Sequence, residues 1–324
     1  EYSMKPIYLR LKNEFGENVF YTEKVIGEEV VSKSLDLKEG QILLIENLRF
    51  EKGEKKSDLE FAKELRKLAD LYVNDAFGTC HRKDASVYVL PTLFDKPVAG
   101  FLVEKEIHYF ETILANPEKP YVAILGGAKV SDKIPVIENL INKVDSILIG
   151  GAMAYTFLKA RDIEIGKSIL EMDMVELAGE LMKKADKKGV KILLPVDHVI
   201  TDKIEDGKVE ITLDEKIPEG FMGVDIGPET IVKYKEELKD AKTVVWNGPM
   251  GIFEIDRFSA GTVAIANAIA ESECTSIIGG GDSAAAVRKA GVFEKISHVS
   301  TGGGASLEYL AGKKLPGIEV LADK

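Results

Sequence analysis

Apolar strand-like runs ending in glycine turns, each followed by a helix-like run, constrain this chain most. Tyr121-Val-Ala-Ile-Leu125 passes into Gly126-Gly-Ala-Lys-Val-Ser-Asp-Lys133, and Ser276-Ile-Ile278 passes into Gly279-Gly-Gly-Asp-Ser283 and an alanine-rich helix. The same rhythm recurs along the chain, with strands predicted at Asn18–Tyr21, Gln41–Ile45, Leu71–Val73, Ser146–Ile149, Lys191–Pro195, Thr243–Trp246 and His298–Val299. Helices are predicted at Ser57–Leu68, Asp132–Lys143, Met174–Lys188, Pro228–Leu238 and Phe258–Glu271. Strands that alternate with helices form parallel sheets with helices on both faces. The exception is Val199–Leu213, where Asp206-Gly207 between two short β-like runs predicts a hairpin.

A break at Asn116-Pro-Glu-Lys-Pro120 follows the helical spacing of Phe101–Ala115, as for a helix joining two domains. The predicted division is 1–98, an incomplete first domain; 99–118, the connecting helix; 119–300, the second domain; and 301–324, a hinge and tail returning to the first. The chain begins with Glu1, and Met4–Leu11 reads as an amphipathic helix with no strand ahead of it. A missing N-terminus is therefore expected.

In parallel sheets ligands bind at the carboxyl ends of the strands, where nearly every glycine-rich or polar cluster of this chain falls. Backbone N–H groups at a helix start hold phosphate, so both charged turns are candidate phosphate sites. Lys129 and Lys133 are spaced to face one anion, and a cation in a helix's first turn opposes its dipole unless an anion is bound. Asp282 fits either a helix N-cap or a ligand to Mg²⁺. The only tryptophan lies in Val245-Trp-Asn-Gly-Pro-Met-Gly-Ile-Phe-Glu254. It is either a buried aromatic or a wall for a base and ribose, with Asn247 and Glu254 as polar contacts. Arg49 and Arg82, with His81 alongside, suit a small ligand bearing phosphate or carboxylate.

Composition removes other classes. A formal charge of −11 leaves no basic excess for general binding to nucleic acid or an anionic membrane. No apolar run approaches the roughly 20 residues of a membrane helix. The two cysteines, Cys80 and Cys274, show no metal-binding spacing, which points to a reduced, cytoplasmic protein. No GxxxxGK[ST] motif exists, and the lack of a GxGxxG after a strand counts against a dinucleotide-dependent oxidoreductase. No strong base or triad arrangement appears, so any catalysis works by positioning and charge.

Seven segments together resemble the phosphoglycerate kinase family. They are Glu46-Asn-Leu-Arg-Phe50, Asn74-Asp-Ala-Phe-Gly78 with His81-Arg82, the lysine turn 126–133, Ile149-Gly-Gly-Ala-Met153, Trp246–Glu254, Gly279–Ser283 and Ser300-Thr-Gly-Gly-Gly-Ala-Ser306. They occur in the family's order and span the chain. The resemblance implies two doubly wound α/β parallel-sheet domains joined by a hinge helix, the first incomplete here. It implies phosphoryl transfer between 1,3-bisphosphoglycerate and ADP, giving 3-phosphoglycerate and ATP, with Mg²⁺, in a cytoplasmic monomer. By position, Arg49, His81 and Arg82 would hold the glycerate ligand. Lys129 would follow the transferred phosphoryl group, with Gly280 and Gly303 near it. Gly127, Ala128 and Lys133 would contact the nucleotide. Gly151, Gly223, Asn247 and Glu254 would shape the nucleoside pocket. Gly280, Gly281, Asp282 and Ser283 would cradle phosphates, with Asp282 toward the metal.

The family's opening strand, with a catalytic arginine nearby, is not among these residues. Little activity is expected of the chain as it stands, a binding-only fragment being the alternative. Where the family usually has His, this chain has Asp84, expected to turn away or to pair with Lys83.

Overall fold

The computed structural model describes residues 2–322, apart from the side chains at 112 and 113. The chain divides into one unit of Glu1–Lys105 with Lys314–Lys324 and another of Glu106–Lys313. In the first unit, strand Val19–Tyr21 pairs in parallel with Ile42–Leu44, and Val73–Asn74 with Val98–Ala99. Helix Lys5–Phe15 finds its packing on the strand that follows it, Tyr8 stacking on Tyr21 at 5.3 Å. Asp58 caps helix Leu59–Arg66, accepting from the Phe61 N–H at 2.8 Å. A small core of Val25, Phe61, Leu65 and Ala85 lies beneath. The tail belongs to this unit, where Gly317 N–H donates to the Cys80 carbonyl.

The second unit is built on a six-stranded, wholly parallel sheet. Its strands, numbered within the sheet, are β1 Tyr121–Leu125, β2 Ser146–Ile149, β3 Lys191–Leu193, β4 Thr243–Asn247, β5 Thr275–Gly279 and β6 His298–Val299. Their order is β3-β2-β1-β4-β5-β6. All residues of β1, β2 and β4 are buried, which is why these strands read as unbroken apolar runs without alternation. The core on one side gathers Val122, Ile124, Tyr234, Trp246, Ile265 and Ile278.

The predicted hairpin is present as His198–Thr201 against Val209–Ile211, with a third antiparallel strand, Met222–Ile226, on its other side. A bulge between Gly223 and Asp225 interrupts the alternation of that third strand, so no strand period shows in the sequence. The connecting segment is α-helical over Phe101–Ile107 and then widens to a π-helix at His108–Ile113. Asp197, after β3, caps helix Pro228–Lys239, accepting from Glu229 and Thr230 N–H groups at 2.9 and 2.8 Å.

Candidate active site

The strand order reverses direction between β1 and β4, so the loops leaving these two neighbours diverge and open a crevice at their carboxyl ends. The glycines here serve first to let loops meet. Gly126 N–H donates to the Asn247 carbonyl and Gly127 N–H to that of Pro249, each at 3.0 Å. Gly151 N–H reaches the Met250 carbonyl at 2.8 Å, and Met153 N–H that of Gly127 at 3.0 Å. These bonds correct one expectation: the glycines ending β1 do not present bare N–H groups. They lace three loops together.

Above the laced loops lies a cavity of about 420 Å³ lined by both lysines of the turn, Asn247, Gly280–Ser283 and Gly303. The lysines reach it differently from the expected pair on a helix's first turn. Lys129 is exposed in the loop, whereas Lys133 is buried at the N-cap of helix Ile134–Leu140. Lys133 Nζ donates to Asn247 Oδ1, and Asn247 Nδ2 donates to the Gly279 carbonyl at 2.9 Å. Asn247 therefore lines this cavity and not the neighbouring one. Burial pushes the Lys133 ammonium down to about 8, with the carboxylates of Asp132 and Asp282 opposing the fall.

Helix Gly281–Lys289 starts at the cavity wall. Its N-cap is Gly280, at φ +93°, so Asp282 does not take the cap role. Asp282 stands exposed in the first turn, and the helix's leading N–H groups have no intrahelical acceptors. Ser283 is buried, and its Oγ accepts from Gly248 N–H at 2.6 Å. On the far side, buried Glu106 holds the Ser300–Gly304 turn. It accepts from Thr301 N–H at 2.7 Å and faces His298 Nε2 at 2.8 Å.

A second cavity of about 240 Å³ is lined by Gly151, Gly223, Met250 and Glu254, together with Tyr155 and Ile169. Gly127, Ala128, Pro249 and Asp282 line both cavities. The sequence reading missed Ile169, Tyr155 and Asp132. Ile169 follows Gly166-Lys167-Ser168, a run that has no phosphate-loop pattern to signal it. Trp246 is fully buried, its Nε1 donating to the Gly248 carbonyl at 2.7 Å, so of its two readings the buried aromatic is the one realised.

Among the described residues no cluster of three or more His, Cys, Asp or Glu could hold a metal. Mg²⁺ is commonly held by one or two carboxylates plus substrate phosphates, and exposed Asp282 on the wall of the first cavity fits that donor set.

Arg49, His81 and Arg82 belong to the first unit. Arg49 sits in the turn Leu48–Phe50, its guanidinium 2.9 Å from the carboxylate of Asp84. Asp84 thus pairs with Arg49 and not with Lys83, whose ammonium lies 5.4 Å from the centre of the Tyr88 ring.

A sequence model of the phosphoglycerate kinase family matches residues 1–313. The chain belongs to the phosphoglycerate kinase family. It is 51% identical over 326 residues to the phosphoglycerate kinase of Clostridium perfringens (strain SM101 / Type A), covering 100% of this chain and 82% of that protein. It is 54% identical to that of Pseudothermotoga lettingae, with the same coverage. The structure of phosphoglycerate kinase from Coxiella burnetii matches with a TM-score of 0.89 at 40% identity, over 98% of this chain and 80% of that one. The function is that of the family, a phosphotransferase of glycolysis that uses ADP and ATP, and these matches give the binding-only alternative no support. The α/β fold with parallel sheets agrees with the expectation. Among the described residues no helix is long and apolar enough to cross a membrane.

Proposed function

We propose that the two adjoining cavities together hold one adenine nucleotide in the phosphoryl transfer between 1,3-bisphosphoglycerate and ADP. The observation that carries this is their common wall: Gly127, Ala128, Pro249 and Asp282 line both, so a ligand can run from one into the other. In this reading the nucleoside lies among Gly151, Gly223 and Glu254. The phosphates lie against Lys133, Asn247 and Gly280–Ser283, with Gly127 and Ala128 at the junction. Lys129, Gly280 and Gly303 face the phosphoryl group in transit. Asp282 holds Mg²⁺, which when bound neutralises phosphate charge. Arg49, His81 and Arg82 hold the glycerate ligand, the first unit acting as its domain and the second as the nucleotide's.

Catalysis then rests on gathering charge. The nucleophile in the ATP-consuming direction is a carboxylate, ionised well below neutral pH with a pKa of about 4, so no general base is required. A loose, metaphosphate-like transition state spreads charge over its oxygens. The helix-start N–H groups at Gly281–Ser283 are fixed in place to receive it, and the ammonium of Lys129 adds its charge. Both cysteines are free of disulfides, which supports a cytoplasmic setting.

Calorimetric titration with adenosine and with MgATP tests the reading. Lys133→Ala is expected to weaken MgATP by roughly 10- to 100-fold, the worth of a hydrogen bond to a charged group, and to leave adenosine unchanged. Equal MgATP affinity in both proteins would place the phosphates elsewhere.

A further inference from the structure

Glu171 lines neither cavity, yet its carboxylate is bonded to the lysine turn. Its Oε2 accepts from Val130 N–H and, at 3.1 Å, from Ser131 N–H, while Oε1 accepts from Ser131 Oγ at 2.6 Å. These are the two residues immediately after Lys129. The cavity touches Ala128, Lys129, Asp132 and Lys133 but neither Val130 nor Ser131. The turn therefore presents its front to the cavity and is gripped from behind by an anion belonging to the chain itself.

Three features make the grip more than an incidental contact. The N–H groups that Glu171 takes precede helix Ile134–Leu140 and would otherwise lack strong acceptors; Val130 is wholly buried, where an unpaired donor is costly. The Val130 carbonyl in turn accepts from Lys133 N–H at 2.7 Å, so the same two-residue bridge fixes both lysines. Burial disfavours the Glu171 carboxylate, but the bonds from Ser131 and Val130 and the charge of Lys129 outweigh it and hold its pKa below the usual carboxylate value.

Glu171 is itself anchored. Its N–H lies 3.4 Å from Thr156 Oγ1, on the helix that follows β2, and two residues earlier exposed Ile169 lines the nucleoside cavity. Ser168 Oγ accepts from Gly223 N–H at 2.9 Å in the same wall. One strap, residues 168–171, thus borders the nucleoside and steadies the turn.

We infer that Glu171 is a positioning residue for phosphoryl transfer, holding the back of the turn so that Lys129 and Lys133 meet the nucleotide phosphates. The inference rests on the reading of the cavity as a phosphate site. A positioning role separates ligands that carry phosphate from those that do not, whereas a merely structural role moves both together or neither. Wild type, Glu171→Ala, Glu171→Gln and Lys133→Ala are titrated with adenosine and with MgATP. Glu171→Ala is expected to weaken MgATP by about tenfold and to leave adenosine within about twofold. Glu171→Gln, which keeps one acceptor oxygen, recovers part of the loss. Unchanged MgATP affinity in Glu171→Ala beside a weakened Lys133→Ala overturns the inference and leaves the site standing. Unchanged affinity in Lys133→Ala removes the site and the inference together. An equal loss of both ligands in Glu171→Ala also overturns it. If Glu171→Ala loses the cooperative unfolding transition of Trp246 fluorescence, Ser131→Ala carries the test. A smaller loss confined to MgATP is then expected, and none overturns the proposal.

Discussion

Lys133 is a cation kept where its charge is disfavoured, and that gives the site a pH signature. Burial lowers its pKa to about 8, below that of the unfolded chain, so the stability cost of burying it is complete below pH 8. That cost is relieved as pH rises from there to the ordinary value near 10.5. Nucleotide binding runs the other way, because phosphate requires the ammonium. MgATP affinity should stay level up to about pH 8 and then fall by at most about tenfold per pH unit. Titration calorimetry from about pH 7 to 9.5 checks this, with Lys133→Ala removing the alkaline fall. A wild-type curve without the fall would mean that the ammonium keeps its proton or does not meet the phosphates.

The lysines, Asp282 and the glycines of the turns were legible because they follow apolar runs, and the carboxyl-edge rule needs no knowledge of strand order. The partner of Lys133 was not. Asn247 lies 114 positions away, and only the pairing of β1 with β4 brings the two together. The bond between Arg49 and Asp84 was hidden for the same reason; the sequence offered only that Asp84 turn away or pair with the adjacent Lys83.

At the scale of elements, the closeness of the loops is the tightest requirement. Gly151 has φ +66°, and a Cβ there would stand 2.5 Å from Gly127 N and 2.9 Å from the Pro249 carbonyl oxygen. These are backbone atoms held by the lacing bonds, so they cannot swing aside. Gly151→Ala should destabilise the protein by about 1–3 kcal/mol, from left-handed strain plus overpacking. Denaturant unfolding followed by Trp246 fluorescence measures this, since the only tryptophan lies in the core of the affected unit. A change below about 0.5 kcal/mol, the usual range for surface substitutions, would show that the loops yield and that their close approach is not required.

Strands buried on both faces were readable as apolar runs: β1 and β2 begin and end where predicted. Strand Met222–Ile226 was missed because its glycine and bulge erase the period. Strand Val98–Ala99 is two residues long, too short to carry one.

Over the whole molecule, the β3-β2-β1-β4-β5-β6 order was not legible, because strand order follows from which face each crossover helix covers. That order creates the switch point, and the switch point sets the two cavities side by side. The proposed function therefore turns on where a nucleotide lies. A crystal structure of the protein with MgADP bound tests it most directly. The phosphates are predicted between Lys133 Nζ and the first turn of helix Gly281–Lys289, with Mg²⁺ on Asp282 and the nucleoside between Gly223 and Glu254. A nucleotide bound with its phosphates away from Lys133, or outside the crevice between β1 and β4, would contradict it.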